Sequence, residues 1–203
     1  MASIIKFGSL VMNGEVCPFP TLRDGKDFWL GDTAEKHQIH WLVVDNKLVC
    51  CWNLITRLSW EELEAGRWAS GKPVFLDGFS FGCRLLQQSD DGSYEWDRAM
   101  EACGGDNAAF HWRNCPSWTR EKRPDESWAG LACGGEKSVE PYITAGWRPV
   151  LVPLGQDSPH DEFLPGWDLL VWGSNFVLDG VLQEQTQYDI LLRMRREVFL
   201  PES

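Results

Sequence analysis

Three dipeptides constrain this chain more than any other feature: Asn13-Gly14, Asp77-Gly78 and Asp179-Gly180, each set between short apolar runs. Asn-Gly and Asp-Gly supply the positive φ angles that a two-residue hairpin turn requires, and apolar flanks mark the two arms. The arms are 9–12 with 15–17, 73–76 with 79–86, and 175–178 with 181–185. Asp45-Asn46, between 39–44 and 47–52, is a fourth turn candidate. Gly8–Gly14, Gly71–Gly78 and Gly173–Gly180 share a form, as any three hairpins of this length do. A chain so punctuated folds mainly by antiparallel pairing of neighbours.

Helical signals are few. Ser59 with Glu62 has the capping-box spacing, predicting a helix over 60–65 that stops at Gly66. A second helix begins near Ser93, runs through 94–103 with an acidic first turn, and ends at Gly104-Gly105. From 107 to 140 no period of either kind is sustained, yet Trp112, Trp118 and Trp128 lie there. A loop of that length is functional or disordered, and three Trp argue against disorder. The expected fold is α+β: mostly antiparallel β-hairpins, two short helices and a long Trp-rich irregular segment. The expected organisation is an N-terminal hairpin region over 1–70, a subdomain or part of the same sheet; a core over 71–155; and a C-terminal hairpin extension over 156–203.

Seven Cys, at 17, 50, 51, 83, 103, 115 and 133, form an odd set without a Cys-x-x-Cys pair. They read as reduced thiols, with Cys50 and Cys51 sent to opposite faces of one strand. No metal site and no cofactor are expected. No apolar run approaches the ~20 residues of a membrane span, and no signal peptide is visible. The expected setting is cytoplasmic, with virion association open to a phage structural protein.

The 203 residues carry 30 acidic and 19 basic side chains, a net charge of −11. That balance argues against nucleic acid as direct ligand and against anionic membrane. Acid is clustered at Asp90, Asp91, Glu95, Asp97, Glu101 and Asp106, and again at Asp157, Asp161, Glu162 and Asp168. The basic exception is Arg113, Arg120, Lys122 and Arg123, interleaved with Trp112, Trp118 and Trp128.

Motifs for catalysis are weak. Gly130-Leu-Ala-Cys-Gly-Gly-Glu-Lys-Ser138 looks like a phosphate loop, but Glu136 stands between Gly135 and Lys137 and no apolar strand precedes it. Four scattered His form no metalloprotease pair, and His40 reads as a core residue. His111 and Cys115, four apart, are a conceivable thiol–imidazole pair, but no motif supplies an orienting Asn or Asp.

The order of parts, with Trp112 and the strand Gly146-Trp147-Arg148-Pro149-Val150-Leu151, resembles the C-type-lectin-like module of bacteria and phage. Formylglycine-generating-type domains and retroelement-diversified tropism determinants share that scaffold. The resemblance spans about residues 71–153 and implies a structural Arg148, hydrogen-bonded across the long loop. Trp112-Arg113-Asn114 departs from the lectin calcium signature, and the cysteine pair of the formylglycine enzymes has no counterpart near Gly146. A scaffold does not name a function.

The expectation that follows is a non-catalytic binding module recognising a protein or other macromolecule. Its contact residues would be Trp112, Arg113, Trp118, Arg120, Lys122, Arg123 and Trp128. The alternative is an acidic DNA mimic that blocks a host defence or DNA-processing enzyme through the two carboxylate clusters. An enzyme with an unrecognised site is the third.

Overall fold

The computed structural model describes residues 3–23, 27–45, 47–89, 91–122, 130–134, 137–142, 144–153 and 177–178. In chain order the strands begin β1 (Ile4–Phe7), β2 (Ser9–Met12), β3 (Glu15–Val16), β4 (Thr21–Leu22) and β5 (Phe28–Gly31). They continue with β6 (Ile39–Val44), β7 (Lys47–Cys50) and β8 (Ile55–Leu58), followed by helix α1 (Trp60–Ala65). Next come β9 (Lys72–Leu76), β10 (Phe79–Arg84) and helix α2 (Glu95–Ala102). The last are β11 (Ser117–Lys122), β12 (Gly130–Gly134), β13 (Lys137–Tyr142), β14 (Ala145–Trp147), β15 (Val150–Pro153) and β16 (Val177–Leu178). The described residues are thus mostly strand with two short helices.

Turn chemistry sets the local pairings. Asn13 and Gly14 sit at φ 54° and 86° between β2 and β3, and Asp77 and Gly78 at 50° and 88° between β9 and β10. Both turns therefore have the two positive φ angles that join tight hairpins. Asp45, at φ 45°, turns β6 into β7. Helix α1 starts with the reciprocal cap: Ser59 Oγ accepts from the Glu62 N–H, and a Glu62 carboxylate oxygen accepts from the Ser59 N–H. Helix α2 starts two residues after Ser93, where an Asp97 carboxylate oxygen accepts from the Tyr94 N–H. Asp179-Gly180 and, apart from 177–178, the segment 156–203 lie outside the described residues.

Seven strands form the central sheet in the order β16-β1-β6-β7-β15-β10-β9, every neighbour antiparallel. The first 70 residues supply β1, β6 and β7 to this sheet, and residues 71–153 supply β9, β10 and β15. The two regions complete one sheet. A six-stranded sheet runs β13-β12-β11-β14-β8-β4, with β11–β14 and β4–β8 parallel, and a three-stranded one runs β3-β2-β5.

The middle strands of the central sheet are buried on both faces. Phe7, Trp41, Cys50, Phe81, Cys83 and Leu151 join a core with Trp147 and Trp118 from the six-stranded sheet and with Phe28 from β5. Leu42, Val49, Cys51 and Val150 face a second core made by Trp96 and Ala99 of α2 with Phe110 and Trp112. Cys50 and Cys51 thus serve different cores, as strand alternation predicts. Among the described residues, no helix is long and apolar enough to cross a membrane.

The expectation of an irregular stretch from 107 to 140 is corrected by β11, β12 and β13. In β11, Ser117, Trp118 and Thr119 are buried in succession, so no period of two survives in the sequence. The strand lies between β12 and β14, while Thr119 bridges Leu86 and the Arg120 N–H bonds the Leu86 carbonyl. Burial on several sides erases the alternation.

Candidate functional site

The loop from Asn107 to Pro116 connects α2 to β11 across the second core. Phe110 and Trp112 anchor it from within, both buried, and the indole N–H of Trp112 donates to the Gly105 carbonyl at 3.1 Å. Asn107 Oδ1 accepts from the Trp112 and Arg113 N–H groups at 3.1 and 2.9 Å, closing the loop on itself. Asn114 takes a φ of 56°, a left-handed conformation that Asn tolerates.

Beneath the loop lies Arg148, with 0% exposure. Its Nε donates to Ser117 Oγ at 2.9 Å, Nη1 to the Cys50 carbonyl at 3.0 Å, and Nη2 to the His111 carbonyl at 2.5 Å. This is the position expected of it, bonded across the long segment. The guanidinium also lies 4.3 Å from the Phe110 ring centroid and 5.2 Å from that of Trp96. Burial lowers its pKa to about 10, so it remains cationic at neutral pH.

Asn53 completes the node. Its Oδ1 accepts from Ser117 Oγ at 2.8 Å, and its Nδ2 donates to the Pro116 carbonyl at 3.1 Å. The Gly146 N–H donates to that same carbonyl at 2.8 Å. A Cβ on Gly146 would stand 2.2 Å from Asn53 Cγ, so only glycine fits. Gly146-Trp147-Arg148 is thereby explained residue by residue: close approach to Asn53, an indole packed against Phe28 and Trp68, and a bracing guanidinium.

The anticipated contact residues divide. Arg113 and Arg120 are exposed, with the Arg113 guanidinium 5.1 Å from the Trp112 ring centroid. Lys122 is half-buried, 4.0 Å over the Trp60 ring and 3.4 Å from Glu61. Trp118 is corrected: it has no exposed surface, because its indole N–H donates to the Leu58 carbonyl within the core. Trp112 is likewise a support rather than a contact. Arg123 and Trp128 lie outside the described residues.

The acidic cluster is largely engaged in the fold. Glu95 is corrected from surface to interior: it is 3% exposed, bidentate to Arg84 at 2.7 Å on both oxygens, and 2.8 Å from Lys47 Nζ. Burial alone would raise its pKa, but the Arg84 hydrogen bonds and charge, with Lys47, bring it below the ordinary value. Asp91 pairs with Arg98 and accepts from Ser93, Asp97 caps α2, and Asp106 accepts from the Ala108 N–H. Glu101 is exposed. Asp90, Asp157, Asp161, Glu162 and Asp168 lie outside the described residues.

His111 and Cys115, a pair without a supporting motif in the sequence, are brought together in space. Cys115 Sγ lies 3.2 Å from His111 Nδ1, and the imidazole stacks on Trp52 with centroids 4.4 Å apart. The four-residue spacing was the only sequence signal, and a non-helical loop gives that spacing no fixed geometry. Among the described residues, no group of three or more His, Cys, Asp and Glu is placed to hold a metal ion. No protein-family model, curated protein or solved structure matches the chain.

Proposed function

We propose that the chain is a non-catalytic recognition module on a C-type-lectin-like scaffold of bacterial or phage type, binding a protein through the exposed Arg113 and Arg120. The observation that carries this is the bracing of the loop from Asn107 to Pro116. Arg148, Asn53 and Asn107 hold its backbone from beneath while Arg113 and Asn114 stay exposed. A loop already ordered loses less conformational freedom on binding. Guanidinium groups backed by aromatic rings are favoured at interface centres.

The contact set therefore narrows to side chains that reach solvent, with the Trp residues as their supports. The acidic alternative is less favoured, since Glu95 is buried against Arg84 and the charge of Asp91 is paired with Arg98.

The test is affinity capture with the intact chain and with Arg113→Glu/Arg120→Glu, the captured protein being identified by mass spectrometry. Both substitutions are exposed, so folding stability should move by less than about 0.5 kcal/mol, while affinity for the captured protein falls at least about tenfold. Equal capture by both forms, or no specific protein held by the wild type, would reject the assignment.

A further inference from the structure

Seven thiols are present, and their surroundings sort them. Cys50, Cys51, Cys83 and Cys133 are buried. Burial pushes Cys50 up to about 12 and raises Cys83 and Cys133 further. Cys17, Cys103 and Cys115 are partly exposed. The Cys17 thiol donates to the Pro18 carbonyl and that of Cys103 to the Met100 carbonyl, both at 3.3 Å. A carbonyl oxygen accepts a hydrogen bond but does not take the proton.

Cys115 differs because its neighbour is a base. The His111 ring is stacked on Trp52, and its backbone is fixed by the Cys51 and Arg148 contacts. Burial and the nearby Arg148 charge lower the pKa of His111, so at neutral pH the ring is uncharged, and in its Nε2–H tautomer Nδ1 accepts the Cys115 proton. Burial raises Cys115 itself and Arg148 opposes that, so the resting thiol is protonated and depends on His111 to become a nucleophile.

From this geometry we propose that Cys115 is a modification site, at which the folded protein undergoes thiol–disulfide exchange with a low-molecular-weight disulfide and His111 acts as general base. As His111 Nδ1 takes the proton, Cys115 Sγ attacks one sulfur of the disulfide. A new S–S bond forms, the old one breaks, and the departing thiolate takes the proton back from His111. Cys115 ends as a mixed disulfide and one half of the reagent as a free thiol, so electrons balance without a further oxidant. The exposed Arg113, two residues away, favours an anionic reagent such as glutathione disulfide.

The experiment exposes the full-length folded chain to glutathione disulfide at neutral pH, quenches with acid, and maps the products by trypsin digestion and mass spectrometry. Cleavage after Arg113 and Arg120 places Cys115 alone in one peptide. Cys115 should be modified about a hundredfold faster than Cys17 or Cys103, the low end of general-base assistance. His111→Asn, which keeps a hydrogen-bond partner but removes the base, should bring Cys115 down to the rate of the other two. Modification of Cys17 or Cys103 at the rate of Cys115 overturns the proposal without any variant. So does an undiminished Cys115 rate in a folded His111→Asn protein.

Discussion

Arg84 and Arg148 are both buried, 4% and 0% exposed, and opposite kinds of partner hold them. Arg84 meets a carboxylate, forming two 2.7 Å bonds to Glu95 that Lys47 reinforces from the solvent side. Among the described residues, every side-chain hydrogen bond of Arg148 goes to a neutral oxygen: two backbone carbonyls and one hydroxyl. The first arrangement is a charge pair that fastens α2 to β10 and β7. The second is a spacer with several donors that fixes three backbone segments at once. Charge pairs fail when one member is left behind, whereas a multi-donor brace fails when its acceptors lose their donor.

That distinction predicts the largest effect at Glu95. Glu95→Ala leaves Arg84 as a buried, unpaired cation and should cost about 3–5 kcal/mol in urea unfolding. Arg84→Met/Glu95→Leu removes both charges and should recover most of that loss, because a buried pair exchanged for apolar groups is often near neutral. A double variant as unstable as Glu95→Ala would show that shape rather than charge governs this site. The sign of the pH effect follows from the depressed pKa of Glu95. Its stabilisation is complete above the unfolded-state pKa and disappears as pH falls through the lower folded-state value. The wild type should therefore lose its advantage over the double variant in acid.

No compensating second substitution exists for Arg148, since its acceptors at Cys50 and His111 are backbone. Arg148→Met leaves two carbonyls and the Ser117 hydroxyl without their donor. Unsatisfied buried groups cost roughly 1–3 kcal/mol each, and relief of the buried charge offsets part, giving a net loss of about 2–4 kcal/mol. Gly146→Ala strikes the same node by driving a methyl into Asn53, and overpacking of that kind costs about 1–3 kcal/mol. Combined, the two should cost less than their sum, because both act on the bonds of Ser117 and Asn53. Strict additivity in a double-mutant cycle would separate the two contacts and break the idea of one node.

The two regions also differ in how much of each could be read from the residues. The capping box at Ser59 and Glu62, the turns at Asn13-Gly14 and Asp77-Gly78, and the opposed Cys50 and Cys51 are local features, set by backbone geometry over a few positions. The acidic run around Glu95 points to the surface, whereas its partners Arg84 and Lys47 stand 11 and 48 residues away. Trp118 reads as a contact because β11 shows no alternation, a consequence of non-local strands packed around it. The contact of Cys115 with His111 depends on a loop whose course is imposed by Arg148 and Asn107. Side chains acting within a turn were legible, and those acting through a distant partner were not.

The smallest effect, and the finest check on the contrast, is at Lys47. Its ammonium reaches Glu95 at 2.8 Å but keeps 28% of its side-chain surface in solvent, so it is the wet end of an otherwise dry pair. Lys47→Met should cost only about 0.5–1 kcal/mol, as partly exposed ion pairs do. That cost should shrink as the screening length falls from about 10 Å at 0.1 M salt to about 3 Å at 1 M. The cost of Arg148→Met should hold steady over the same range, because neutral oxygens are its partners. Chemical denaturation with urea, which leaves ionic strength under separate control, measures both. Equal salt sensitivity of the two variants would mean that Arg148 also draws on a carboxylate, and the division between a charge pair and a neutral brace would fall.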